Sequence, residues 1–375
     1  MSRATAPKAN TGALRREDPP RLIADSRPHA ATRHAGRLAA GEAGFTLIEL
    51  LVAMAIGLLV VLAAAAALTV SRTGFNTVDA ASQLRDNTRF AADLIQRISV
   101  QTGFRDAFFA ATTPSTRPPD ISGYNNAKVD MSGSNPTPLT SAPLTRSASE
   151  AGYGSDVLIL RYQAARTYPT AMPDGTPNTA TDQSMIDCAG NAPSVVPDFT
   201  NAAAVTTRMT SIFEVDTDPV TGEPSLMCIT QDPVSLVWSS SPIVQGVESF
   251  QVLYGVDQVT PGTDPAATLP APNVPLSYLR ADQMTGATPA GTALNWARVR
   301  ALRIGMVLRS APNSTPDLSP QTYYAFGVTP SSSTGTKGSA FNSSADPGTI
   351  FAPTPDGRLR QVSTFTVHLR NDQGL

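Results

Sequence analysis

Apolar residues run almost unbroken from Phe45 to Val70, interrupted only by Thr46, Glu49, Gly57 and Thr69. The run holds no proline, and its Leu, Ala and Met residues favour helix. At 1.5 Å per residue, roughly 26 residues reach about 39 Å, enough to cross a ~30 Å hydrocarbon layer with some tilt. Beyond Val70 the pattern changes. Phe75, Val78, Ala81, Leu84, Ala91, Leu94, Ile95 and Ile98 recur at steps of three and four, with Arg, Asp, Asn or Gln opposite. No proline occurs before Pro114, and Gly103 is a stop signal. The pattern predicts one helix over 45–102, roughly 87 Å long. Residues 45–70 are its transmembrane part, and its second half packs on a globular domain. Gly57 and Gly74 are its weak points, each costing about 1 kcal/mol relative to Ala.

After residue 102 the helical period disappears. Residues 103–150 are rich in Pro, Ser, Thr, Asn and Gly and read as a long surface loop. Residues 155–162 (SDVLILRY) read as a strand, and 163–205 return to loop composition. Residues 211–229 read as a hairpin: Ile212, Phe213 and Val215 lead into the turn 216–223, and Leu226 and Ile229 follow. Strands are predicted over 248–257, with Phe250, Val252, Tyr254 and Val256 on one face, and over 300–309, with Leu302, Ile304, Met306 and Leu308 on one face. Between them, 276–284 and 294–299 read as short helical turns, with Trp296 packing inward. Residues 310–350 are a low-complexity loop. In 358–371, Phe365, Val367 and Leu369 alternate with Thr366, His368 and Arg370, a half-exposed last strand.

Charge adds orientation. The chain's formal net charge is -2, but residues 1–44 carry eight Lys or Arg against four acids, so the remainder carries -6. A basic segment before an apolar span keeps the N-terminus cytoplasmic and sends the C-terminal domain to the periplasm. Residues 1–43 have no periodic apolar face and read as a disordered leader. A mildly acidic domain with Lys128 and Lys337 as its only lysines is a poor candidate for binding nucleic acid.

The candidate chemistry is sparse. Cys188 and Cys228 are the only cysteines, and in an exported domain an even count implies a bridge. The loop it closes is worth roughly 3–4 kcal/mol in the chain-entropy model. The D-x-D at Asp216 and Asp218 fails the EF-hand spacing, because Val220 sits where a ligand belongs, and reads as an acidic turn. His368 is the only histidine after residue 44. No nucleophile elbow, P-loop, H-E-x-x-H or G-x-G-x-x-G is present, so no enzyme, cofactor or metal is expected. Glu49 is the exception. A lone carboxylate in a membrane helix costs about 2.5–3.5 kcal/mol on insertion scales and needs a partner.

Gly44, Phe45 and Glu49 ahead of an apolar helix resemble the class III signal of type IV prepilins. The resemblance implies cleavage between Gly44 and Phe45 by a dedicated prepilin peptidase and N-methylation of Phe45. In parallel, staggered helices the Glu49 carboxylate of one subunit can meet the Phe45 amine of its neighbour. A mispaired subunit would leave a buried charge, so Glu49 sets assembly register. The later blocks GSDVLILRY, VESFQVLYGVD, WARVRALRIG and the terminal TVHLRN resemble the PilW family of minor type IV pilins. That resemblance implies an α+β, pilin-like fold, a long N-terminal helix on an antiparallel sheet domain over 103–375. It also implies a subunit of the inner-membrane or tip complex that primes pilus assembly, supporting twitching motility and adhesion. The implied partners are other minor pilins, the major pilin, the peptidase and inner-membrane lipid. Two other readings stand beside it: a type II secretion minor pseudopilin of the GspJ sort, of the same architecture, and, from another class, a membrane-anchored adhesin or ligand-binding protein.

Overall fold

The computed structural model describes residues 44–105, 118–140, 142–165, 167, 172–176, 178, 180–193, 208–266, 274–327 and 346–371. The leader expected at 1–43, and the parts of the expected loops at 106–117, 194–207 and 328–345, lie outside the described residues.

Helix α1 (Leu47–Gln101) is unbroken through Gly57 and Gly74. Two compact units divide the chain after Leu62. In the first, every residue from Gly44 to Leu62 is exposed. In the second, α1 turns a stripe inward, burying Ala80, Leu84, Thr88, Ala91, Ile95, Ile98 and Ser99. Steps of three and four keep these side chains on one face. Phe75 and Val78, expected on that stripe, are 74% and 71% exposed. At 100° per residue they lie roughly 150° around the helix from it, so shared periodicity did not place them on the shared face.

The strands, in chain order, begin with β1 (Ile121–Tyr124), β2 (Ala127–Lys128), β3 (Leu144–Thr145) and β4 (Val157–Tyr162). Next come β5 (Met209–Thr217), β6 (Pro224–Gln231), β7 (Trp238–Gln245), β8 (Val247–Val256) and β9 (Ser277–Leu279). The last are β10 (Val299–Arg309), β11 (Tyr323–Tyr324), β12 (Ile350–Phe351) and β13 (Arg360–His368). A short helix, α2 (Pro289–Ala297), precedes β10; Thr288 caps it by accepting from Gly291 N, and Pro289 opens it. The larger sheet has order β1-β4-β5-β6-β7 and the second has order β13-β10-β8-β9, with antiparallel pairing throughout. The fold class is therefore α+β, as expected.

Leu158, Leu160 and Tyr162 of β4 pack with Phe213 and Leu226 of the first sheet, Phe250, Tyr254, Ile304 and Met306 of the second, and Leu84, Ala91, Ile95 and Ile98 of α1. The alternate residues Val157 and Ile159 of β4 join Ile212 and Ile229 in a smaller cluster on the other face of the first sheet. Both faces of β4 are thus covered, which is why 157–160 reads as a continuous apolar run. Trp296 packs inward, as expected, edge-on to Tyr254 with ring centroids 4.8 Å apart.

Two expectations are corrected, and one strand, β7, carried no signal in the sequence. The stretch 103–150 contains β1, whose Ile121 is fully buried although its neighbours are small or polar. Gly123 belongs there because a Cβ would lie 1.9 Å from the Tyr254 hydroxyl. Strand β7 carries three serines and Pro242, and shows no alternation because it is an edge strand with an exposed face. Residues 276–284 form β9 followed by a 3₁₀ turn over Ala281–Met284, where helical turns alone were expected.

A closed ring of ion pairs links the turn before β6 to the second sheet. Arg309 bridges Glu223 (2.7 Å) and Glu248 (3.0 Å), Arg360 bridges Glu248 (2.6 Å) and Asp356 (2.8 Å), and Arg358 bridges Asp356 (3.5 Å) and Glu223 (3.0 Å).

Candidate processing and assembly site

The sequence around Gly44 folds locally. Residues Thr46 and Glu49 stand in the T-x-x-E spacing that caps a helix start. The Thr46 backbone N–H donates to Glu49 Oε2 at 3.0 Å, and the Glu49 N–H donates to Thr46 Oγ1 at 3.3 Å. The Thr46 hydroxyl also donates to Glu49 Oε2, at 3.1 Å. Sequence reasoning missed Thr46, although the spacing was legible. Among the described residues, Glu49 Oε1 makes no hydrogen bond.

Gly44, Phe45 and Glu49 are thus brought together at the head of α1. Phe45 is 88% exposed, and nothing lies within 4 Å of where a Gly44 Cβ would stand. Backbone and side chain at the 44–45 bond are open to an enzyme. An anionic side chain in the first turn also meets the positive end of the helix dipole. Among the described residues, α1 is the one helix long and apolar enough to cross a membrane, and its most apolar window is unburied.

The far end of α1 is fixed by two distant segments. Gly103, at φ +75°, turns the chain away, and Asn371 Nδ2 donates to the last carbonyls, Val100 (3.3 Å), Gln101 (3.3 Å) and Thr102 (3.1 Å). The terminal asparagine of the HLRN motif is a cap supplied from 270 residues away in sequence. Gln101 Oε1 in turn accepts from Ile186 N at 2.9 Å. Cys188, two residues on, is bonded to Cys228 in β6. The bridge therefore holds an irregular segment, 180–193, against both the sheet and the helix end.

The remaining candidates are inert. Asp218 accepts from Val220 N (2.9 Å) and from the Thr221 and Gln245 side chains, an ordinary acidic turn. His368 is exposed on β13.

Comparison with known proteins fits this arrangement. Residues 40–65 match the prokaryotic N-terminal methylation motif, and residues 212–371 match the family described as type IV pilus-assembly protein W (PilW). The C-terminal part of the chain thus carries a PilW-type domain, behind a prepilin-type methylation motif. The PilW match opens within β5 and closes on Asn371, so it takes in the second sheet and the C-terminal cap, while β1 and β4 lie outside it. The methylation match contains Gly44, Phe45 and Glu49, and with the long apolar helix it fits a single-pass membrane-anchored pilin. No curated protein matches the chain. A type IV-like pilin from Thermus thermophilus is similar at 14% identity, covering 76% of this chain and 95% of its own, with a TM-score of 0.32, too slight a likeness to carry an argument.

Proposed function

We propose that this PilW-type chain is a minor pilin, cleaved between Gly44 and Phe45, N-methylated on Phe45, and inserted with its C-terminal domain in the periplasm. It joins other minor pilins in the complex that primes the pilus, supporting twitching motility and adhesion, and later sits in the fibre or at its tip. The observation that carries this reading is the state of Glu49. Both capping bonds use one carboxylate oxygen, Oε2, which leaves Oε1 for a neighbour's Phe45 amine without uncapping the helix. Pairing removes the cost of a lone carboxylate in lipid. Pilins are structural subunits, so no catalytic step is assigned to the chain.

Mass spectrometry of sheared pili and of membranes tests the reading. The expected mature N-terminus is N-methyl-Phe45. Glu49→Gln keeps one carbonyl oxygen, enough to accept both Thr46 bonds of the cap, so the variant should be cleaved and inserted yet fail to co-purify with other pilins. A wild-type yield of that complex, or an N-terminus downstream of the apolar run, overturns the reading.

A further inference from the structure

A cavity of about 460 Å³ lies beside the β1 edge of the first sheet, against α2. Tyr124 of β1, Arg161 of β4 and Trp296 of α2 contribute to its walls, as does Arg208 just before β5. Among the described residues, three arginines, Arg105, Arg161 and Arg208, act on the carboxylate of Asp120. Asp120, 2% exposed, holds Arg208 in an ion pair and Arg105 at 3.2 Å. Arg161, 7% exposed, donates only to neutral acceptors, the Pro119 carbonyl at 2.8 Å and Ser122 Oγ at 3.1 Å. Burial, then repulsion from Arg208, pushes the Arg161 guanidinium down to about 10. Attraction from Asp120 offsets this only in part, because Arg208 and Arg105 share that carboxylate, and an entering anion would relieve the remaining cost through charge-assisted hydrogen bonds.

The size and the other walls narrow the class of anion. The volume lies in the range of small-molecule sites, roughly 300–1,000 Å³, well beyond an inorganic oxyanion. Aromatic surface at Tyr124 and Trp296 suits the apolar face of a ring, and the Ser122 and Thr210 hydroxyls suit its polar edge. We propose that this cavity binds a carboxylate-bearing sugar ring, a hexuronate, with the carboxylate on Arg161 and Arg208 and the ring against Tyr124 and Trp296.

Calorimetric titration of the full chain in detergent micelles, with galacturonate, galactose and a galacturonate oligomer, tests this. Galacturonate should bind saturably and at least about tenfold more tightly than galactose, as loss of a charge-assisted contact implies. Arg161→Gln should weaken galacturonate by about tenfold. Ala293→Phe, on the half-buried face of α2 lining the cavity, should abolish binding by filling the space while leaving every charge in place. It carries the test if Arg161→Gln does not fold, with circular dichroism melts as the control. Tighter binding of the oligomer supports an acidic polysaccharide as the source, and equal binding supports the free acid. Equal affinity for galactose and galacturonate, absence of saturable binding to either acidic probe, or binding that survives Ala293→Phe overturns the proposal.

Discussion

The two parts of α1 follow one helical geometry and bury different things. From Leu47 to Leu62 the helix is apolar on all sides and exposed throughout, while from Ala80 to Ser99 it buries one stripe and leaves Arg85, Asp86, Arg89, Asp93 and Arg97 outside. In the second part the core pays for order: Ile95 and Ile98 are fully buried among side chains of both sheets. In the first part none of the described residues covers the apolar surface, which fits a membrane-anchored segment. Hydrophobicity alone therefore does not say where a core is. The distribution of apolar residues around the helix axis does.

Substitutions in the two parts should separate them most sharply. Ile95→Ala removes a fully buried side chain from the core and should cost about 2–5 kcal/mol, read as a large fall in the melting temperature of the β domain. Leu58→Ala should leave that melt unchanged; an equal fall in both would break the comparison. Removing the bridge with Cys188→Ser and Cys228→Ser should cost about 3–4 kcal/mol for a loop of 40 residues, measured by urea unfolding of oxidised and variant protein.

A pH series comes next. Burial raises Glu214 to about 7 in spite of Arg146 at 3.2 Å, and raises Asp346 to about 6 in spite of Arg280. Asp156, fully enclosed and facing Asp346, is raised further by burial and then by that neighbour. A raised carboxyl takes up its proton on folding, so its contribution is complete below its unfolded value and lost as pH climbs through the folded one. The urea midpoint should therefore be higher at pH 5.5 than at pH 8, and Asp346→Asn should flatten the difference. A midpoint that rises steadily to pH 8 would contradict these burials. For Glu223, burial raises the carboxyl but the Arg358 and Arg309 hydrogen bonds outweigh it and hold it low, so its loss belongs to more acidic solution.

The smallest effects lie on the surface. The Arg358 links of the ion-pair ring are partly exposed, so each is worth about 0.2–1 kcal/mol, and 1 M NaCl should lower the melt modestly in wild type and less in Arg358→Gln. Phe75→Ser, on the uncovered side of α1, should change domain stability by less than about 0.5 kcal/mol. A larger loss would mean that the exposed face is covered.

The sequence by itself determined the elements whose signal is local. The apolar run and Glu49, the T-x-x-E cap, the strands with alternating or continuous apolar residues, and the cysteine pair are written in neighbouring residues, where period and spacing suffice. The angle around the helix axis separates Phe75 from Leu84, nine residues and half a turn apart, but only the tertiary structure decided which of the two faces meets a core. It also decided that ISGY is a strand, since β4 supplies the hydrogen bonds, and that polar β7 closes the sheet. The cap on Val100, Gln101 and Thr102 by Asn371 and the arginines gathered around Asp120 join residues far apart in sequence. Such contacts leave no local period, because their partners are chosen by the path of the chain in space.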